Sequence, residues 1–132
     1  MKLVFIAQPY HSMQCGQACL AMITQSSLLE VIQETGKHWS THIKNDLQKY
    51  LDSHGYTTEL VDKIDVDFQE IPNNSIVRIC YPNETGHFVV KADNVFYDPS
   101  VGIVQAYQCY VKVTHYLTYA KNKKKPSKVI GW

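Results

Sequence analysis

Cys15-Gly16-Gln17-Ala18-Cys19-Leu20-Ala21-Met22-Ile23 is the stretch from which the rest of the chain is read: a thiol, a glycine, then an apolar run that predicts a buried helix beginning at the cysteine. The first turn of a helix leaves backbone N–H groups unpaired. Together with the helix dipole they favour a thiolate, the form of cysteine that attacks carbonyl carbon. Gly16 is expected to let the backbone approach a bound substrate, and the Cys15 N–H to serve as a donor to a developing oxyanion. A nucleophile so placed requires a base from elsewhere in the chain.

Downstream of this helix, Ser27-Leu28-Leu29-Glu30 has the form of a capping box, with Leu28, Leu29, Val31 and Ile32 forming an apolar face before Gly36. Ile43, Leu47, Tyr50 and Leu51 recur at helical spacing, which predicts a third helix over 41–53 stopped by Gly55. Beyond Gly55 the pattern becomes extended. Tyr56–Val61, Ser75–Tyr81, Gly86–Ala92, Val95–Asp98 and much of Val104–Tyr119 are rich in β-branched and aromatic residues. Helices first and strands later predict an α+β domain in which N-terminal helices pack on an antiparallel β-sheet. Residues 3–7 read as a first strand or an extended arm.

The chain has 132 residues, of which 45% are hydrophobic, and so has the content of one domain, assigned to residues 1–120. Residues 121–132 form a basic tail with five lysines and no acid, which leaves eight basic against twelve acidic groups in the body. Because the basic character is confined to that tail, no nucleic-acid partner is expected, and the tail offers a contact for an acidic partner. The apolar run at 3–7 is stopped by Gln8 and Pro9, short of a signal-peptide core, and nothing approaches the roughly 20 apolar residues of a membrane span. Four cysteines, Cys15, Cys19, Cys80 and Cys109, are too sparse and irregular for a disulfide framework. The expected location is a reducing cytoplasm, with export by a non-standard route left open. Cys15, Cys19 and His11 lack a second compact Cys/His pair to complete a metal site, so no metal or other cofactor is expected.

Of six histidines, His87 alone opens a strongly predicted strand, directly after the turn Pro82-Asn83-Glu84-Thr85-Gly86. If Asp93-Asn94 makes a two-residue hairpin, Ala92 opposes Val95 and Val89 opposes Asp98. Residues 87 and 89 point to the same face, so Asp98 becomes a diagonal neighbour of His87, with their backbones about 7–8 Å apart. A register change of one residue reverses that result. The arrangement is then Cys15 as nucleophile, His87 as base and Asp98 as orienting carboxylate, with the Gln8 side-chain amide beside the Cys15 N–H as oxyanion donors.

These residues carry a resemblance. The order Gln8…Cys15-Gly16-Gln17-Ala18-Cys19-Leu20-Ala21-Met22-Ile23, then Gly86-His87-Phe88-Val89-Val90, then Tyr97-Asp98-Pro99, resembles the papain-like cysteine peptidases. Within them it is most similar to the bacteriocin-processing peptidases that remove double-glycine leader peptides. The resemblance spans about residues 8–100 and implies a papain-like fold, a peptide or protein substrate, and the same four roles for Cys15, His87, Asp98 and Gln8. Gln8 lies seven residues before Cys15, where those peptidases usually have six, and Gln14 stands where an acidic residue commonly precedes the Cys-Gly pair.

Three functions are consistent with such a site. The first is a peptidase or isopeptidase working through an acyl-enzyme. The second uses the same thiolate as a deamidase, transglutaminase or acyltransferase, and the third is a non-catalytic binding module of the same fold. A buried Cys15, or a His87 pointing away from it, favours the third.

Overall fold

In the computed structural model, which describes residues 3–64 and 66–122, Cys15 is the first residue of α1 (Cys15–Thr24). Every residue from Gly16 to Ile23 is buried, because α1 is enclosed between α2 (Leu28–Thr35) and the sheet. An all-round apolar helix is stable only in such a place. The capping box of α2 forms as expected: Ser27 Oγ accepts from the Glu30 N–H at 3.1 Å, and the Ser27 N–H donates to Glu30 Oε1 at 2.9 Å. Gly36 ends the helix in the left-handed conformation.

The third helix differs from its sequence pattern. Ile43–Gln48 is a π-helical turn that leads into a short α3 (Lys49–Ser53). The cause is local: the His42 carbonyl accepts from both Asp46 and Leu47, while His42 Nδ1 accepts from the N–H groups of Lys44 and Asn45. Asp46 closes the arrangement by accepting from the His42 N–H and pairing with Lys37 at 2.9 Å. The wider turn still delivers Ile43 and Leu47 to the core.

Six strands follow: β1 (Tyr56–Val61), β2 (Ser75–Cys80), β3 (Gly86–Ala92), β4 (Val95–Asp98), β5 (Gly102–Val104) and β6 (Lys112–Lys121). They form one antiparallel sheet in the order β1-β6-β2-β3-β4-β5. Both faces are covered. Ile76, Phe88, Val90, Tyr97 and Leu117 pack with α1, Leu47 and Leu51 on one side. Val77, Ile79, Val89, Phe96 and Val113 pack with Ile71, Val111 and the partly buried Phe68 and Tyr107 on the other. Coverage of both faces makes β3 read as a near-continuous apolar run. Lys91, also buried in β3, donates to the carbonyls of Phe68 at 2.9 Å and Ile71 at 2.7 Å and so pins the covering segment to the sheet.

Residues 3–9 contain no strand; they are an extended arm whose Leu3, Phe5 and Ile6 pack on the core. The apolar pattern over 104–119 is divided between β5, a loop and β6. Of the basic tail, Lys121 pairs with Tyr56 at the end of β6, and residues 123–132 lie outside the described residues. Among the described residues no single helix is long and apolar enough to cross a membrane.

Candidate active site

The β3–β4 connection sets the site. Asp93 and Asn94 both have positive φ, 54° and 63°, the conformation of a two-residue hairpin turn that matches the twist of its strands. The register Ala92↔Val95, Lys91↔Phe96 and Val90↔Tyr97 follows from it, and Asp98 falls on the face of His87. Their side chains meet: His87 Nε2 lies 2.6 Å from Asp98 Oδ1, with His87 8% exposed and Asp98 fully buried.

Asp98 is held from three sides. Besides His87, the Ser100 N–H donates to Oδ1 at 2.9 Å and the Tyr107 hydroxyl to Oδ2 at 2.7 Å. Burial raises the carboxyl pKa, but these hydrogen bonds and the imidazole charge outweigh it and hold Asp98 below its usual value. Burial raises Tyr107, reinforced by the Asp98 charge and hydrogen bond, so its hydroxyl remains a donor.

Cys15 stands half-buried at the start of α1. Gln14 supplies no side-chain cap, which leaves the first-turn N–H groups to whatever lies before the helix. With Nε2 engaged by Asp98, Nδ1 is the ring nitrogen left for the Cys15 sulfur. Burial lowers the His87 pKa, yet hydrogen bonding and charge from Asp98 and Cys15 prevail and raise it to about 9. Cys15 and His87 line one cavity of about 600 Å³ together with Gln8, Ser12, Tyr81 and Arg78. Cys19, one turn into α1, is fully buried, and burial pushes its thiol pKa well up.

Gln8 reaches the same cavity from the N-terminal arm. Its N–H donates to the Pro99 carbonyl, its Oε1 accepts from Ser100 Oγ at 3.0 Å, and its Nε2 donates to the Ser12 carbonyl at 2.8 Å and to Ser12 Oγ at 3.4 Å. The arm is thereby tied to the turn after Asp98. Gln14 points elsewhere, donating to the His38 carbonyl at 3.0 Å.

Gly16 has a packing reason of its own. It is buried, and a Cβ there would lie 2.0 Å from Thr41 Oγ1 and 3.1 Å from Leu47 Cδ2. The glycine admits the 37–42 loop against α1. Gln17, also fully buried, secures that loop by donating to the Lys37 carbonyl at 3.1 Å and the Trp39 carbonyl at 2.7 Å. Behind the thiol, Cys-Gly-Gln is thus a packing device.

Tyr107, Ser100 and Arg78 were not anticipated as members of the site. The Asp98-Pro99-Ser100 order carries an Asx-turn signal for Ser100. Tyr107 lies in an irregular loop with no periodic cue. Among the described residues no group of three or more His, Cys, Asp or Glu side chains is placed to share a metal ion.

No sequence family matches this chain, and no curated protein sequence matches it. Among solved structures it is similar to a double-glycine motif protease from an AMS/PCAT transporter, determined in complex with the leader peptide. The TM-score is 0.68 over 92% of this chain and 93% of that one, at 16% identity. The chain therefore has the α+β fold of a papain-like peptidase.

Proposed function

We propose that the protein is a cysteine peptidase or isopeptidase that hydrolyses a peptide or amide bond through an acyl-enzyme on Cys15. The observation that carries this reading is the buried 2.6 Å contact of His87 with Asp98 beside a thiol at a helix start. The thiolate attacks the scissile carbonyl carbon, forming a C–S bond and a tetrahedral oxyanion. The Cys15 N–H and a Gln8 Nε2 hydrogen, freed from its long contact with Ser12 Oγ, are the donors to that oxygen. The His87 imidazolium gives its proton to the leaving amine as the C–N bond breaks. It then takes a proton from the water that hydrolyses the thioester, so that the acid leaves as the C–S bond breaks and the Cys15 thiolate and His87 imidazolium are restored. Asp98, held by Tyr107 and Ser100, fixes the ring so that Nδ1 faces the sulfur.

An extended peptide is the proposed substrate, in keeping with the leader peptide bound to the structurally similar protease. Transglutaminases and acyltransferases share the first half of this sequence and differ in which acceptor resolves the thioester, whereas a deamidase keeps water as acceptor and differs in its donor, a side-chain amide that releases ammonia. The test is intact-mass analysis of wild type and Cys15→Ala after exposure to a panel of peptide and acyl electrophiles. Single adducts on Cys15, absent from the variant, are expected. Absence of any adduct on Cys15 while other thiols react would refute the reading.

A further inference from the structure

Arg78 is the chain's single arginine, and β2 sets it in the wall of the Cys15–His87 cavity. A β-bulge places it there. Pairing between β2 and β6 shifts between Arg78 and Ile79, so Arg78 faces His115 while Ile79 faces Val113, and Thr114 is left over. The extra residue takes one guanidinium hydrogen, with Arg78 Nη1 donating to Thr114 Oγ1 at 3.0 Å. Bulges often re-aim a side chain beside a functional site.

The other side of the guanidinium lies on Gly86, the residue before His87. A Cβ on Gly86 would stand 2.4 Å from Arg78 Nη2 and 2.9 Å from Cζ, so only glycine leaves the group this position. The same side chain borders a second cavity of about 550 Å³, which shares Thr41 and Phe88 with the first and contains Lys44 and His115. Asp62, the one acid there, is exposed and pairs with His115 at 3.4 Å. Among the described residues no carboxylate pairs with Arg78. A half-buried guanidinium has five donors in a fork that fits a carboxylate, and among the described residues this one gives a single side-chain hydrogen bond, to a hydroxyl.

We propose that Arg78 receives the carboxylate of an Asp or Glu side chain in a peptide lying along the Cys15–His87 cleft, which makes the protein selective for acidic peptides. The proposal rests on the cysteine-peptidase reading for the substrate's class. It adds that recognition is ionic and sits one residue from the base. Glutamine in place of glutamate leaves the guanidinium without its charge partner, so discrimination of about 10-fold or more is expected.

The test uses the full chain and paired peptide chloromethyl ketones identical except for Glu or Gln near the warhead, with amidated C termini so that the side chain is the sole carboxylate. Wild type should be alkylated on Cys15 about 10-fold faster by the Glu probe, with the difference shrinking as salt rises. Arg78→Gln should bring the ratio of Glu-probe to Gln-probe alkylation to about one, the ratio being taken within each protein so that any common change in Cys15 reactivity, read separately with iodoacetamide, cancels. Arg78→Lys, which keeps the charge on a different head group, should retain part of the preference. Equal rates for the two probes in wild type would overturn the proposal, whatever the variants do. Cleavage of the matching peptides is scored separately: a Glu preference in alkylation without cleavage would sink the peptidase reading and leave the Arg78 site standing.

Discussion

Asp98→Asn removes the charge that holds His87 protonated, and its effect can be worked from the structure. The imidazole pKa is raised from 6.5 to about 9 against a burial effect that lowers it, with Asp98 the larger contributor and Cys15 the smaller. A difference of that size corresponds to about 3 kcal/mol of preferential interaction with the charged ring. Asp98→Asn should bring the His87 pKa down to the region of 6.5 or below, since burial then acts with only Cys15 opposing it. Cys15→Ala should lower it less. The assay is NMR titration of the His87 ring Cε1–H in the three proteins. A wild-type His87 titrating near 6.5, or an Asp98→Asn protein still titrating near 9, would refute the reasoning.

The same contact predicts how stability varies with pH. For His87 the folded pKa lies above the unfolded value, so its stabilisation is complete below pH 6.5 and is lost as pH rises through about 9. For Asp98 the folded value lies below 3.8, so its stabilisation is present above 3.8 and is lost as pH falls through that lower value. The two belong to one pair, and the figure of about 3 kcal/mol is counted once. Denaturant unfolding should therefore show a plateau between about pH 4 and 6.5 and a decline on the alkaline side that Asp98→Asn largely removes. Turnover in that variant should fall about 10²–10⁴-fold, the usual contribution of a positioned general acid and base.

Iodoacetamide at mildly acidic pH should alkylate Cys15 before Cys80 and Cys109 and leave the buried Cys19 untouched, with His87→Ala slowing the reaction; mass mapping that finds Cys109 first would contradict it. Gly16→Ala drives a Cβ against Thr41 and Leu47 and should cost about 1–3 kcal/mol in thermal or denaturant unfolding, whereas an unchanged Tm would mean that the 37–42 loop yields freely. Tyr107→Phe deletes a hydrogen bond to a buried carboxylate worth about 1.5–3 kcal/mol, and it should lower Tm and alter the His87 titration; a change in Tm alone would limit Tyr107 to packing. Gln8→Ala should raise the barrier by about 2.7–4 kcal/mol, seen in kcat more than in KM, and an unchanged kcat would assign the oxyanion to another donor.

The helices and strands were legible because their signals are local. A capping box spans four residues, the period of β3 and β4 is read within one hairpin, and Asp93-Asn94 fixes a register that carries Asp98 to His87. Three site residues could be placed on their elements by such arguments: Cys15 at the start of α1, His87 at the start of β3 and Asp98 at the end of β4. Even the order of elements followed, since helix-period patterns gave way to alternation after Gly55.

What remained hidden depends on groups far apart in the chain. The π-helical turn at Ile43–Gln48 arises because His42 and Asp46 bond to backbone and to Lys37, a competition that apolar spacing does not record. Gly16 reads as a glycine beside a nucleophile until Thr41 is seen against it. Tyr107 has no periodic neighbour to mark it, and its value comes from the buried Asp98 oxygen it meets. Arg78 sits in an ordinary strand, and a bulge in β6 aims it at the cleft. Sequence alone determined most of the elements, the register of the β3–β4 hairpin and the position of the Cys15 thiol at a helix start, because those follow from backbone periodicity and side-chain type. The tertiary structure decided which side chains share a cavity, since distance across packed layers is set by the whole fold rather than by neighbours in the chain.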